Sequence, residues 1–430
     1  ERHMNVLVCH NFYRHAGGED SVFHEEVRLL ESYGHHVVCY TRRNDEFDGQ
    51  SKLRLSMNAV WNRATANELA ELVRRENIQV AHFHNTWPLI SAAGYSAVRR
   101  AGAAVVQTLH NYRLLCPGGT LCRQGKVCEA CVGKVVPWPA MRHGCYRYSR
   151  SASTIMASAT VTHRMLGTFR RHVDRFIALS EFARDKFQAA GLPRNKLVIK
   201  PNFVIPPTNL TTEAGGNYAL FVGRLSPEKG VQPLLAAWRD HAPSLPLKIV
   251  GDGPQSELVE SEAGRNPRME YLGRRAPREV YELIRGAAVL VVPSVNYEGF
   301  PRTIVEAFAV GTPVIASRLG SMIELIEDGC TGAFCEAGNP ASLVAAVNRL
   351  AADPAKREQM GMAAKDEFQR RYTPERNHAQ LLSVYDQAVR ERALTFAASR
   401  FTGASASRNR SRPATTAPVV ANVVSDMKHS

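Results

Sequence analysis

The chain has 430 residues, of which 44% are hydrophobic and 22% charged. Because a single hydrophobic core stops growing at roughly 250 to 300 residues, this length predicts two domains. No run of about 18 consecutive apolar residues occurs, and Met4 opens a short strand-like run without a signal-peptide pattern. These features argue against a membrane-spanning or secreted protein, and we expect a cytoplasmic location.

The net charge of +14 is concentrated in the first half of the chain. Residues 1–200 contain 28 Lys and Arg against 16 Asp and Glu, whereas residues 201–430 contain 26 against 24. Between Arg99 and Lys200 the basic residues alternate with aromatic and small apolar ones (Arg142, Tyr146, Arg147, Tyr148, Arg150, Arg164, Arg170 and Arg171). Such a surface suits an anionic partner, either the inner face of a membrane, touched peripherally, or a lipid-diphosphate acceptor. A solvated basic face without a partner is the alternative.

Short β-branched strands alternate with amphipathic helices along the first half, a pattern typical of a parallel sheet covered by helices. The predicted strands are Val6–Cys9, His36–Tyr40, Val80–His84, Ala104–His110 and Arg175–Ser180. Helical spacing is clearest in Val22–Ser32 and Ala64–Glu76. His82 and His84 resemble a pair of metal ligands, but a strand end facing a cleft is the simpler interpretation.

A segment at about 116–150, rich in Gly, Cys, Pro and basic residues, breaks this alternation and predicts a long insertion. It contains Cys116, Cys122, Cys128, Cys131 and Cys145. Nine cysteines in a cytoplasmic chain argue against a disulfide framework. Cys116, Cys128, Cys131 and Cys145 could form a structural zinc site, because Cys128 and Cys131 make a Cys-x-x-Cys pair. A second such pair is missing, so reduced thiols packing a loop are the alternative.

A Pro-rich stretch at 201–207 predicts a linker, after which the alternation restarts. The second set of predicted strands is Tyr218–Val222, Leu247–Val250, Met269–Leu272, Ala288–Val292, Pro313–Ala316 and Gly332–Cys335. We therefore expect an α/β fold with an N-terminal domain at 4–202 and a C-terminal domain at 203–374. A helix at 375–396 is expected to pack back on the N-terminal domain. The tail at 397–430 is poor in large apolar residues, which predicts disorder.

Two segments carry candidate chemistry. In the first, a predicted strand ends in Gly223, and Arg224 and Lys229 follow five residues apart, so both can reach one anion at the carboxyl edge of the sheet. In the second, a strand ends before Glu298, and a helix then opens close to Pro301, a favoured residue at helix starts. The free amides of such a helix start suit a phosphate. A surface loop with solvated cations and a helix-capping Glu is the alternative for each segment taken alone.

The two segments also contain a pair of carboxylates in different places. Glu306, on the second helical turn, could accept hydrogen bonds from ribose hydroxyls, and Glu298, on the preceding loop, could meet the hydroxyls of a sugar.

Taken together, these motifs resemble glycosyltransferase family 4 with the GT-B architecture, over roughly residues 4 to 395. The likeness rests on residues 223–230, Gly251-Asp252-Gly253-Pro254, Tyr271-Leu272-Gly273, the pair Glu298 and Glu306, and residues 307–316. It implies two facing Rossmann-like domains, with the acceptor on the N-terminal side and the donor on the C-terminal side. It also implies a retaining transfer of a sugar from a nucleoside diphosphate sugar, UDP first and GDP second, to a hydroxyl. The basic first half of the chain suggests a glycan or lipid-linked acceptor, in surface polysaccharide or glycolipid synthesis.

The resemblance assigns roles to individual residues. His110 is implied to lie beside the reacting sugar, Arg224 and Lys229 to neutralise the diphosphate, and Glu298 to contact the sugar; these four form the predicted catalytic set. The predicted donor-binding set is Gly17, Gly18, Arg224, Lys229, Leu272, Gly299, Phe300, Pro301, Thr303 and Glu306. No Asp-x-Asp cluster is present, so we expect catalysis to require no cofactor.

Two other functions are compatible with parts of the sequence. A nucleotide-sugar 2-epimerase would share the fold and the donor, but would have no evident use for the basic, Cys-containing insertion. A non-catalytic nucleic-acid-binding protein would account for the charge. However, no recognition helix or stacking motif is present, and the Glu298 and Glu306 pair would be unexplained. We therefore expect no nucleic-acid partner.

Overall fold

The structure is a computed structural model that describes residues 3–13, 17–44 and 52–408. Its first half forms a six-stranded sheet in the order β2-β1-β3-β4-β7-β8, in which all neighbours are parallel. The strands are β1 (Asn5–Phe12), β2 (His36–Arg43), β3 (Val80–Asn85), β4 (Ala104–Leu109), β7 (Arg175–Ala178) and β8 (Leu197–Ile199). The helices are α1 (Gly18–Ser32), α2 (Lys52–Val60), α3 (Arg63–Arg75), α4 (Ala93–Ala101), α6 (Arg150–Met165), α7 (Thr168–His172) and α8 (Glu181–Ala189).

The second half repeats this design. Its sheet has the order β11-β10-β9-β12-β13-β14, again with parallel neighbours. The strands are β9 (Ala219–Val222), β10 (Leu247–Val250), β11 (Met269–Gly273), β12 (Val289–Val292), β13 (Val314–Ser317) and β14 (Gly332–Cys335). The helices are α9 (Val231–Asp240), α10 (Ser256–Arg265), α11 (Pro277–Arg285), α12 (Arg302–Val310), α13 (Met322–Leu325), α14 (Pro340–Ala351) and α15 (Pro354–Arg371). The prediction of two halves, each built on a parallel sheet, is confirmed.

The central strands are buried on both faces, which explains why they read as continuous apolar runs. In β1, Val6 and Val8 belong to one core cluster, whereas Leu7 and Cys9 point to the opposite face of the sheet and belong to another. The first of these clusters also contains Leu220 of β9. The strands therefore sit rigidly, and their carboxyl ends are fixed positions for functional loops.

The insertion has local structure that its sequence did not indicate. A two-stranded antiparallel hairpin, β5 (Cys122–Arg123) and β6 (Lys126–Val127), is followed by a short helix, α5 (Trp138–His143). The hairpin forms a separate sheet. Strand β8 also went unpredicted, because three residues are too few to show a period.

The last helix, α16 (Pro374–Arg408), begins one residue before the predicted one. Its first turns contact the first half: His378 Nε2 lies 3.1 Å from His35 Nε2, and the Asn377 amide donates to the Pro201 carbonyl at 3.1 Å. The predicted tail begins inside this helix, and its residues 409–430 lie outside the described residues. Within the described part of the chain, no helix combines the length and the apolar character that crossing a bilayer requires.

Candidate active site

Three of the predicted donor-site residues follow strands of the second sheet. Arg224 comes after β9, Leu272 lies at the end of β11, and Glu298 comes after β12. Because these strands are parallel and adjacent in the order β11-β10-β9-β12, their carboxyl ends meet at one edge. Arg224 is exposed there, and Leu272 is half-buried. The structure therefore places these residues along one edge, as ligand sites in open α/β sheets are placed.

The main chain after β9 packs against the segments that follow β10 and β12, with no room for side chains at two glycines. A Cβ at Gly251 would lie 1.8 Å from the Gly223 carbonyl oxygen, and one at Gly230, which has φ of +74°, would lie 1.9 Å from the Pro293 oxygen. Glycine is therefore required at both positions. These contacts hold the segment 226–230 against the end of β12 and bring Lys229 beside the loop that carries Glu298.

Lys229 and Glu298 form an ion pair. The Lys229 ammonium donates to both carboxylate oxygens of Glu298, at 2.8 and 2.9 Å, and the Ser294 hydroxyl donates to one of them at 2.6 Å. The Glu298 side chain is 10% exposed, whereas that of Lys229 is 31% exposed. The pair therefore has a buried anionic end and an accessible cationic end, and the ammonium can turn toward an incoming anion.

The turn after Glu298 reaches the first half of the chain. A Cβ at Gly299 would lie 2.6 Å from the carbonyl oxygen of His110, which directly follows β4. The hydroxyls of Ser321 and Tyr112 donate to the Glu298 carbonyl at 2.8 and 3.3 Å. The main chain at Glu298 is thereby held by two hydroxyls, and the next residue, Gly299, lies against the main chain of His110.

Helix α12 opens at this place, with Pro301 as its N-cap and Phe300 buried behind it. Thr303 lies in the first turn, so the unpaired amides of this turn face the same region as Glu298. Burial raises the pKa of Glu306, although Arg302 at 3.8 Å opposes the rise. The helix start supplies positive potential without a side-chain charge.

Arg302 links the starts of two helices and was missed by the sequence reasoning. Its guanidinium donates to both carboxylate oxygens of Glu25 on α1, at 2.8 and 3.0 Å. A Cβ at Gly18 would lie 3.7 Å from Arg302 Cδ, and one at Gly17 would meet nothing within 4 Å. The predicted glycines therefore lie at the start of α1, facing the start of α12. A pair separated by 277 residues leaves no local signal in the sequence.

A buried polar cluster lies behind His110. The Lys200 ammonium is 2.7 Å from Glu26, and the other oxygen of Glu26 is 3.2 Å from His84 Nε2. His84 Nδ1 is in turn 2.9 Å from His110 Nε2. Burial would raise the pKa of Glu26, but Lys200 and the neighbouring histidines hold it well below its usual range. Burial lowers the pKa of His84 and holds those of His82 and His110 well below the usual range, so these rings are neutral.

Glu26, His82 and His84 bring three potential metal ligands within 4.8 Å of one another. Their partners favour a hydrogen-bonded cluster instead, because Lys200 already occupies one oxygen of Glu26. Both nitrogens of His82 are also engaged, Nδ1 by the Tyr385 hydroxyl at 2.8 Å and Nε2 by the Thr108 hydroxyl at 2.7 Å. His84 also faces His110, so the end of β3 lies against the residue that follows β4.

The four predicted zinc ligands lie in the insertion. Cys116 and Cys131 are buried, Cys128 and Cys145 are half-buried, and all are free thiols. Burial raises the pKa of Cys131 to about 11, and the neighbouring Cys116, Cys145 and Cys128 add to this. Among the described residues, the 4.8 Å spacing of three ligand atoms is reached at the Glu26 cluster, not at these sulfurs.

The structure thus brings the predicted residues together in part. Lys229, Glu298, Gly299 and His110 form one continuous set of contacts. In the described part of the chain, no side-chain hydrogen bond joins Arg224, Leu272, Thr303 or Glu306 to this set.

Comparison with known proteins decides the family. Residues 16–206 match the profile described as Glycosyltransferase Family 4, and residues 208–367 match the one described as Glycosyl transferases group 1. A 2-deoxystreptamine glucosyltransferase of Streptomyces kanamyceticus is 30% identical over 316 residues, which cover 70% of this chain and 75% of that relative. The chain belongs to glycosyltransferase family 4. This membership confirms the resemblance seen in the glycine, lysine and glutamate motifs.

Other relatives of this family-4 chain align over shorter stretches. An uncharacterised glycosyltransferase of Methanocaldococcus jannaschii is 31% identical over 216 residues, and a glycogen synthase of Mycobacterium tuberculosis is 35% identical over 153 residues. The alignments cover 50% and 34% of this chain, but 60% and 36% of the two relatives. The chain therefore matches less than two thirds of the length of either relative.

Solved structures share the fold of this family-4 chain. HepE of Anabaena, in complex with UDP and glucose, matches with a TM-score of 0.64 and 19% identity, over 89% of this chain and 100% of HepE. Sucrose-phosphate synthase of Thermosynechococcus elongatus matches with a TM-score of 0.65 and 18% identity, over 89% and 98% of the two chains. These matches confirm the predicted GT-B fold.

Proposed function

We propose that this chain transfers a sugar from a nucleoside diphosphate sugar to a hydroxyl acceptor with retention of the anomeric configuration. The observation that carries the proposal is the Lys229–Glu298 pair, whose loop leads directly into the start of α12 and meets the main chain of His110 at Gly299. A cation and helix amides suit a diphosphate, and an adjacent carboxylate and imidazole suit sugar hydroxyls. One place thus offers partners for both halves of a nucleotide sugar.

UDP is the first candidate for the nucleotide and GDP the second. Structures of HepE, which shares the fold, hold UDP with glucose and UDP-glucose. Glu306 would accept hydrogen bonds from the ribose, and Leu272 would lie against the base. Gly17, Gly18, Gly299, Phe300, Pro301 and Thr303 would complete the donor site.

In the proposed reaction, the bond between the anomeric carbon and the diphosphate oxygen breaks, and a bond to the acceptor oxygen forms on the same face. The acceptor proton passes to the leaving diphosphate. Arg224 and Lys229 would stabilise the charge that gathers on this diphosphate. Glu298 and His110 would hold the sugar, and no cofactor is needed for these steps.

Calorimetric titration of the purified chain with UDP, GDP and ADP, without added metal, tests the donor site. We expect one nucleotide, UDP first, to bind, and the matching UDP-sugars to reveal the donor by tighter binding. If none of the three binds, the donor site is misplaced. Conversion of the nucleotide sugar to its 2-epimer without an acceptor would favour the epimerase.

We also propose a glycan or lipid-linked acceptor and peripheral contact with an anionic membrane. The insertion and the end of α6 expose large apolar side chains (Val135, Val136, Trp138, Tyr148, Met165 and Leu166). Arg142, Arg147 and Arg150 are close to them in sequence. Apolar and basic side chains together favour an anionic bilayer over a nucleic acid.

Sedimentation with vesicles tests this surface. Vesicles that contain about one-third phosphatidylglycerol should bind the chain, and Trp138→Ala with Val135→Ser should reduce the bound fraction several-fold, because shallow apolar burial is lost. Ile323→Ser, which changes an exposed apolar residue in the second half, is the control. Equal binding to neutral vesicles, or none to either, would contradict the proposal.

We further propose that Cys116, Cys128, Cys131 and Cys145 hold a structural zinc ion. Cys128 directly follows the β5–β6 hairpin. Cys116 and Cys145 both lie close to Gly118, because a Cβ on that glycine would be 3.7 Å from Cys116 Sγ and 3.5 Å from Cys145 Cβ. Zinc would draw the four sulfurs into a tetrahedron and fix the insertion. We expect one zinc per chain by elemental analysis, lost in Cys128→Ser and kept in Cys122→Ser. A metal-free chain with all thiols titratable would refute it.

A further inference from the structure

A line of four buried or half-buried side chains runs from the interior to the proposed sugar site. It starts at Lys200, passes through Glu26 on α1 and His84 on β3, and ends at His110 after β4. Lys200, Glu26 and His84 are each at most 2% exposed. Successive members approach within 2.7, 3.2 and 2.9 Å. A buried charge is costly unless it has a partner, so the charge and the proton positions of each side chain constrain those of the next.

The charges determine where the protons lie. Glu26 is ionised beside Lys200 and can only accept hydrogen bonds. A bare nitrogen facing a carboxylate oxygen would be repelled, so the single proton of neutral His84 lies on Nε2, toward Glu26. Within the described structure, both of these facing atoms lack a hydrogen-bond partner of regular geometry, and their 3.2 Å approach is a close contact between a carboxylate oxygen and a ring nitrogen. His84 Nδ1 is therefore unprotonated and accepts a hydrogen bond.

The proton on His110 follows from its contact with His84. Its Nε2 lies 2.9 Å from the unprotonated Nδ1 of His84, so Nε2 of His110 must carry the proton and donate it. A neutral imidazole has one proton, and Nδ1 of His110 is left bare. The other histidines do not compete for this contact: His10 Nε2 lies 2.7 Å from Asp20, and His82 is bonded to Tyr385 and Thr108.

We propose that Glu26 and His84 are positioning residues that fix His110 in the Nε2–H tautomer, so that His110 meets the donor sugar as a hydrogen-bond acceptor. This inference rests on the proposed function for the sugar contact, but the tautomer itself does not. A His110 of this kind selects for a ligand that offers a hydroxyl hydrogen at that place. It discriminates against a deoxy or ether analogue, which offers none.

Nitrogen-15 NMR of histidine-labelled protein measures the tautomer directly. The His110 signals are assigned by their loss in His110→Asn. In the wild type at pH 7.5 we expect Nδ1 at the shift of an unprotonated nitrogen and Nε2 at that of a protonated one. The opposite protonation pattern, or an averaged one, in the wild-type spectrum would overturn the inference.

A double variant tests the role of Glu26 while removing both buried charges together. In Glu26→Gln/Lys200→Met the amide can present either an oxygen or an NH2 group to His84, so His110 should show both tautomers. Tyr385→Phe is the control, because it removes a partner of His82 from the same cluster and leaves the line to His110 intact. A single, unchanged His110 tautomer in the double variant would refute a role for Glu26.

Ligand binding separates positioning from general damage. The double variant should weaken binding of the UDP-sugar that the wild type prefers by roughly fivefold, the loss expected for one hydrogen bond, and change UDP binding less than about twofold. An equal loss for both ligands would contradict the inference. If the wild type binds neither ligand, the proposed function fails, while the tautomer measurement still decides the arrangement of the protons.

Discussion

Lys229→Ala is expected to lower kcat for sugar transfer by about 10²- to 10³-fold, the loss typical of removing one preorganised charge-stabilising donor. The ammonium is the accessible end of its pair with Glu298. Its attraction grows as the diphosphate leaves, so kcat should fall more than the donor KM rises. Steady-state kinetics with the donor found by calorimetry provide the measurement.

A matched lysine provides the control. Lys248 has a side-chain exposure of 30%, nearly that of Lys229, and lies 3.5 Å from Glu270. Lys248→Ala should change kcat less than about twofold, because this pair is a surface ion pair. An equal loss in both variants would mean that general destabilisation, and not contact with the diphosphate, explains the effect.

The carboxylate partner sharpens the test. In Lys229→Ala, Glu298 keeps its charge close to the expected diphosphate and should repel it. Lys229→Ala/Glu298→Gln should therefore bind UDP more tightly than Lys229→Ala alone, although transfer stays low in both. Weaker UDP binding by the double variant would show that Glu298 does not lie beside the phosphates.

Lys200→Met is expected to destabilise the fold by about 3 to 5 kcal/mol, because it leaves the carboxylate of Glu26 buried without a counter-charge. The Lys200 and Glu26 side chains are 1% and 2% exposed, so water cannot replace the missing partner. Urea unfolding, followed by tryptophan fluorescence, measures the loss. Glu26→Gln/Lys200→Met should recover much of it, since both charges are then gone.

The destabilisation caused by Lys200→Met should become smaller as the pH falls. In the wild type the pKa of Glu26 lies well below its usual value, so its stabilising contribution is present above about pH 4.5 and lost as the pH falls through the folded-state pKa. Without Lys200, burial should raise this pKa above the unfolded value. Lowering the pH from 7 to 5 should then reduce the difference in the free energy of unfolding between Lys200→Met and the wild type. If this difference in unfolding free energy increases instead, the unpaired carboxylate of Glu26 is not the cause of the destabilisation.

Much of the fold was predictable, because buried strands and amphipathic helices leave periodic signals. Leu247–Val250 and Gly332–Cys335 were predicted at their observed bounds. The Gly-Arg and Lys-Gly positions around Arg224 and Lys229 were equally visible, since a tight turn dictates its own glycines locally.

What could not be predicted depends on contacts between distant residues. Lys200 and Glu26 are 174 positions apart, and each alone looks like an ordinary charged residue of a surface. The apolar periodicity around Glu26 predicts a helix, but it does not show that the position of Glu26 itself is buried by other parts of the chain. Only the packing of α1 against the sheet shows that this carboxylate is buried beside Lys200, whose charge keeps it ionised.

The contact at Gly299 bears on how the cleft opens and closes. Because the glycine has no side chain, the two halves touch here through main-chain atoms, at the His110 carbonyl. A main-chain atom cannot rotate out of the way as a side chain can, so we expect this contact to limit how narrow the aperture between the two halves can become at this point. A single added methyl group at residue 299 would act as a wedge and hold the aperture wider without altering any charge.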